Sequence, residues 1–284
     1  MVPSFYIYIN DSVNNPYNDV RLFADDTSLF VIVDNGKEDE CADELSRVLN
    51  IISEWGDQWA VTFNPLKTKS LTFTRKRNQH SPIYFNNLPI EEVETHAHLG
   101  LTFQTRGNWS THIGNIYSKA CNRLNLLRIL KHSVNRNVLL TLYMPFIRPI
   151  LEYADSVWDN YTEQEASLLE NVQVETLRII TGLRRNSSRQ ALYKELGVEP
   201  LCSRREDHKL TTIFKILNSL SPTYMCDLLL PNSPTEPNYN LRSRGNQLHI
   251  PQCRAESYSK GFLQCTIRAW NSLPDHLKSI TSVD

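Results

Sequence analysis

Residues 22–30 read LFADDTSLF, and within this stretch two adjacent carboxylates, Asp25 and Asp26, stand between two apolar, strand-forming arms. Val20, Leu22 and Ala24 on one side and Leu29, Val31 and Val33 on the other predict two strands that meet at the acid pair, which then occupies a hairpin turn. A hairpin tip cannot bury two charges cheaply. The pair therefore reads either as a solvated turn or as a divalent-cation site, and these residues alone leave both open.

Working outward, Tyr6, Ile7, Tyr8 and Ile9 form a short β-rich run that Asn10 and Asp11 end with turn chemistry. YIND at residues 8–11 followed by FADDT at residues 23–27 resembles the palm of a reverse transcriptase from a non-LTR, LINE-like (jockey-type) retrotransposon. Further landmarks of that resemblance follow in order. EWGDQW contains Trp55 and Trp59, and NPLKTK contains Asn64, Lys67 and Thr68. HLGLTF contains His98, Leu99, Gly100 and Leu101, and AWNSLP begins at Ala269 and Trp270.

The resemblance implies an RNA-directed DNA polymerase that uses an RNA template and a DNA primer. In such an enzyme Asp25 would be the principal metal ligand of the hairpin and Asp26 its neighbour, both serving Mg²⁺ or Mn²⁺. Lys67 would lie near the departing pyrophosphate, and Leu99 and Gly100 would grip the primer end. Two-metal phosphoryl transfer holds its cations about 3.5–4 Å apart on several carboxylates, and one hairpin cannot supply them all. The resemblance also implies an earlier palm strand with another aspartate, and a Gln-Gly loop. The sequence is expected to open just past that loop, with Pro3, Ser4 and Phe5 as its remainder, and thus to be a C-terminal part that is inactive alone. The alternative is a non-catalytic protein, either one that binds nucleic acid or a decayed mobile-element remnant.

Composition sets the frame. The chain has 284 residues and is 40% hydrophobic, enough for one or two cores. Its net charge of -1 is unevenly spread: residues 1–63 hold 12 acids against 3 basic residues, and residues 64–284 hold 19 against 27. An acidic end joined to a basic remainder suits a protein that neutralises phosphates, as it also suits a mixed solvated surface. Six cysteines lie far apart with no C-x-x-C pair, so they read as reduced, largely buried thiols. His249, Cys253 and Cys265 lack the spacing of a four-ligand zinc site, and no zinc is expected. No segment reads as a signal peptide or membrane span, which makes a nuclear or cytoplasmic protein the expectation. There is no Ser/His/Asp set, no nuclease motif and no phosphate-cradling glycine loop.

The expected fold class is α+β: a truncated palm of β-hairpins with a packing helix over residues 1–108, a helical thumb and connection region over 109–230, and a linker and helical tail over 231–284. Acidic residues 38–44 begin an amphipathic helix that presents Leu45, Val48, Leu49, Ile52 and Trp55, with Trp55 and Trp59 as core anchors. Strands are expected at residues 70–74, 83–85 and 98–103, with a tight turn at Asn86 and Asn87. Ile113, Ile116, Tyr117, Ala120, Leu124, Leu127 and Leu130 recur at helical spacing, and prolines 145 and 149 should break the apolar run that comes next. Thr162 with Glu165 and Ser203 with Glu206 match capping boxes.

Lys119 and Arg123 share one face of the expected thumb helix, where they would either follow the nucleic-acid backbone or form an ordinary solvated face. Arg128, Lys131, Arg184, Arg185, Arg189, Arg204 and Arg205 are further basic candidates. His98 reads as structural rather than catalytic.

Overall fold

The computed structural model describes residues 19–24, 26–74, 80–184, 186–226, 229, 247–252 and 259–278. The expectations for residues 6–11, for Asp25, Arg185 and Cys253 and for the linker at 231–240 fall outside these residues. The chain divides into two units, Met1–Gly107 and Asn108–Asp284.

In the first unit, β1 (Asp19–Phe23) and β2 (Asp26–Phe30) form an antiparallel hairpin. Helix α1 (Glu38–Trp59) opens with Glu38, Asp39 and Glu40, whose carboxylates favour the positive end of the helix dipole. Ala42, Val48, Leu49, Ile52 and Gly56 are its buried residues. Its apolar face gathers Ile83, Phe85 and Ile90 into a core, with Leu29 of β2, Leu45 and Phe63 packed against it. The hairpin is thus seated on this core through Leu29. Behind Ala60, in the left-handed conformation at φ 57, the chain folds back so closely that a Cβ on Gly56 would meet the Val61 carbonyl oxygen at 2.6 Å.

Short strands complete the unit. β3 (Lys69–Ser70) runs parallel to β6 (Glu91–Glu92), and β4 (Tyr84–Phe85) pairs with β5 (Leu88–Pro89). Asn86 and Asn87 both have positive φ, 50° and 59°, as a two-residue primed turn requires, which realises the turn expected there. β7 (Thr95–His98) pairs with β8 (Leu101–Gln104).

Several local expectations are corrected. The strand expected at 70–74 is limited to Lys69–Ser70, and β2 ends at Phe30, so Val31 and Val33 lie beyond it. The single strand expected at 98–103 is folded in two, because Leu99 and Gly100 take φ of 48° and 80° and reverse the chain. Trp59 is 43% exposed rather than a core anchor, since it is the last residue of α1 and the chain turns away at Ala60. Trp55 is half-buried, with its ring 6.5 Å from that of Phe63.

The second unit is helical. α2 (Ser110–Leu130) buries Ile113, Ile116, Ala120, Leu124 and Leu127 as the spacing predicts. α3 (Arg136–Phe146) contains Pro145 and gives way at Ile147 to α4 (Arg148–Glu152), where Pro149 sits in the first turn. After α5 (Asp155–Trp158) comes α6 (Glu163–Thr181), opened by the predicted capping box of Thr162 and Glu165. α7 (Arg189–Leu196) is capped by Ser188, and α8 (Leu201–Leu217) comes after it. Ser203 does not cap α8, because the helix begins two residues earlier, behind Pro200. Glu170 of α6 takes over, accepting a hydrogen bond from the Leu201 N–H at 3.0 Å.

α2 packs on α6, while α9 (Thr223–Cys226) and α10 (Phe262–Ser272) pack on α8, and α11 (Asp275–Lys278) ends the described chain. Ile213, Phe214 and Ile216 of α8 share a core with Leu229, Ile267 and Trp270. Among the described residues no helix is long and apolar enough to cross a membrane. The described cysteines are free thiols, but Cys202 is exposed and Cys41, Cys121, Cys226 and Cys265 are only half-buried, less than expected of them.

Candidate active-site hairpin

The β1–β2 register pairs Phe23 with Asp26, Leu22 with Thr27, Arg21 with Ser28 and Val20 with Leu29. Ala24, the residue after β1, takes φ 55°. A β-carbon in this region costs about 1–2 kcal/mol, which the paired arms have to offset. Where the sequence reading put it in the turn, Asp26 is the first residue of β2. Its side chain is exposed.

Strand alternation places Asp26, Ser28 and Phe30 on one face of β2 and Thr27 and Leu29 on the other. Leu29 goes to the core, so the Asp26 face looks away from it. Thr27 Oγ1 is buried with no hydrogen-bond partner, and by alternation it is directed away from Asp26. An exposed carboxylate at a hairpin tip has the hard oxygen donors that Mg²⁺ or Mn²⁺ prefers. Among the described residues no group of three or more His, Cys, Asp or Glu side chains converges to hold a metal.

Of the other predicted site residues, Leu99 and Gly100 follow directly on His98, a residue that reaches the hairpin. Ser28 Oγ and His98 Nε2 lie 3.0 Å apart, which ties β2 to the end of β7, immediately before the turn at Leu99 and Gly100. Lys67 lies exposed in a separate turn, where Asn64 Oδ1 accepts from the Leu66 N–H at 3.0 Å. Among the described residues no hydrogen bond or ion pair joins the Lys67 ammonium to Asp26.

In the second unit, Lys119 and Arg123 are both exposed on α2, on the side away from its buried stripe. The Arg123 guanidinium lies 5.8 Å from the Phe146 ring centroid, which orients it without burying it. Arg128 donates to Asn125 at 2.9 Å and Arg189 to Asn171 at 2.8 Å, while Lys131 and Arg184 are exposed.

Arg204 and Arg205 are corrected. Arg204 pairs with Glu152, which also accepts from Arg148 at 3.2 Å. Arg205 is 3% exposed, bonded to the Tyr161 hydroxyl and the Leu151 carbonyl, and stacked 4.8 Å from the Trp158 ring. Both guanidiniums hold helices together and are not offered to phosphate.

Sequence reasoning missed the polar interior of this unit. Tyr143 donates to Gln173 Oε1 at 2.6 Å, and Gln173 Nε2 donates to the Glu199 carbonyl at 2.9 Å. Burial and the Glu152 charge push the Tyr143 phenol well above its usual range, so it stays a neutral donor. Buried Asp155 meets His208 Nδ1 at 2.7 Å, and burial raises that carboxyl despite His208 and Arg205. No local motif announces these partners, which lie tens of residues apart in the chain.

No protein-family model matches the chain, and no solved structure matches it. Over 205 residues, 71% of the chain, it is 24% identical to the probable RNA-directed DNA polymerase from transposon X-element of Drosophila melanogaster. Over 166 residues, 57% of the chain, it is 22% identical to the RNA-directed DNA polymerase from mobile element jockey of the same organism. The matched stretches cover 21% and 18% of those proteins, so the chain spans about a fifth of the length of its curated relatives. The fold with its exposed Asp26 hairpin is thus that of a chain similar to the RNA-directed DNA polymerases of mobile elements.

Proposed function

We propose that this chain carries the catalytic hairpin, primer-facing turn and thumb of a mobile-element RNA-directed DNA polymerase. In this reading residues 1–108 are palm, residues 109–230 are thumb and connection, and residues 231–284 are linker and tail. Asp25 and Asp26 hold Mg²⁺ or Mn²⁺, which when bound would stabilise the charge developing on the transferred phosphate. Lys67 offers its ammonium to the leaving pyrophosphate. Leu99 and Gly100 present backbone to the primer end, and Lys119 and Arg123 neutralise phosphates of the primer–template duplex.

The observation that carries this reading is the β1–β2 register, which sets an exposed Asp26 at the turn end of β2. One hairpin leaves the metal site incomplete, so the chain tested alone is expected not to extend a primer on an RNA template. Joined to a polymerase segment that supplies a further palm aspartate and a Gln-Gly loop, it should incorporate nucleotides, and Asp25→Asn should abolish this. Incorporation that survives Asp25→Asn overturns the proposal, as does a folded joined protein with no incorporation. A second reading, nucleic-acid binding without catalysis, is favoured by the exposure of Lys119 and Arg123, whose charge depends on no metal.

A further inference from the structure

Two hairpins distant in sequence are joined by a polar contact, Ser28 Oγ with His98 Nε2 at 3.0 Å. We infer that His98 is a positioning residue, which fixes the turn at Leu99 and Gly100 beside the carboxylate hairpin. This rests on the proposed binding of a divalent cation by that hairpin.

The geometry supports it from both sides. Ser28 is two residues from Asp26 on the same face of β2, about 7 Å along the strand at the usual rise. His98 is the last residue of β7 and pairs with Leu101, a buried residue, so the two flank the turn directly. Between them Leu99, 38% exposed, and Gly100 protrude with positive φ. A hairpin so short has little core of its own to fix its angle, and the β1–β2 hairpin rests on the core through Leu29. A direct side-chain bond between two half-buried residues sets the separation of the two tips more tightly than apolar packing would. Hydroxyl and imidazole can each donate or accept, so the bond survives either neutral tautomer.

The test uses Mn²⁺ as a paramagnetic probe on the full chain, read through amide NMR line widths, since the broadening falls steeply with distance. In the unsubstituted protein Mn²⁺ should broaden the amides of β2 and, with them, those of Leu99 and Gly100. His98→Gln, which keeps a hydrogen-bonding group, should retain both effects. His98→Phe should keep the broadening in β2 and lose it at Leu99 and Gly100, and Ser28→Ala should do the same without altering the ring, which covers a failure of His98→Phe to fold. Equal broadening at Leu99 and Gly100 in Ser28→Ala and the unsubstituted protein overturns the positioning role. Absence of broadening in β2 of the unsubstituted protein overturns instead the metal reading beneath it.

Discussion

Tyr143→Phe removes a single oxygen from a residue that is 0% exposed, and the surroundings of that oxygen set the cost. The lost hydroxyl donates to Gln173 Oε1 at 2.6 Å, and Gln173 is itself 0% exposed, so the carbonyl left behind has no water to turn to. Stranding a buried acceptor costs about 1–3 kcal/mol, against roughly 1 kcal/mol for a hydrogen bond that solvent can replace. We expect a loss of about 2 kcal/mol in the helical unit. Gln173→Leu should cost at least as much, since it also strands the Glu199 carbonyl that its amide serves. The double variant should be less destabilised than the sum by about 1 kcal/mol or more, because neither half of the Tyr–Gln bond is then left alone. Urea unfolding monitored by tryptophan fluorescence and far-UV circular dichroism measures all four proteins. Because the Tyr143 phenol is raised in the fold, the effect should be constant through neutral pH. Above about pH 10 the unfolded chain releases the proton that the folded state retains, so the advantage of the unsubstituted protein over Tyr143→Phe should shrink there. A Tyr143→Phe cost below about 0.5 kcal/mol, or strict additivity in the double variant, would refute the buried-network reasoning.

Burial alone would raise the Glu152 carboxyl, but Arg204 and Arg148 overcome it and hold the group below its ordinary value. Its stabilisation is therefore present above the unfolded value and lost as pH falls through the folded one, and Glu152→Gln should cost about 3 kcal/mol at pH 7 and flatten the acid limb of a thermal melting series. Gly56→Ala should destabilise the first unit by about 1–3 kcal/mol, because the added methyl meets the Val61 carbonyl and the Phe63 ring; unchanged thermal unfolding would contradict this. Lys119→Glu with Arg123→Glu should weaken salt-dependent binding of an RNA–DNA hybrid and reduce the slope of log affinity against log salt by roughly 2 or more, as read by fluorescence anisotropy.

What was legible in the sequence was whatever repeats locally. The stripe from Ile113 to Leu127, the Thr162 and Glu165 capping box and the Asn86 and Asn87 turn each depend on neighbours within a few positions, and each is found as read. The break at Ile147 arises from proline chemistry in the same way. At two places where the reading failed, a distant partner had decided the outcome. Ser203 looked like a cap until Glu170, on another helix, served the start of α8. Arg205 read as one basic candidate among several because nothing nearby in sequence revealed that Trp158 and Tyr161 stack on its guanidinium. At the candidate site the acid pair was visible at once, whereas the Ser28–His98 bond, 70 residues apart, has no signature in spacing or composition.

The packing of α10 on α8 imposes an order on synthesis. Ile213, Phe214 and Ile216 leave the ribosome well before Ile267 and Trp270 exist to cover them, and at roughly 5–20 residues per second that interval lasts a few seconds. Throughout it the nascent chain displays a sticky helical face, a target for chaperones and for unwanted self-association. A premature stop or frameshift upstream of Phe262 would make that exposure permanent, so translation must stay in frame through α10 for α8 to be quenched.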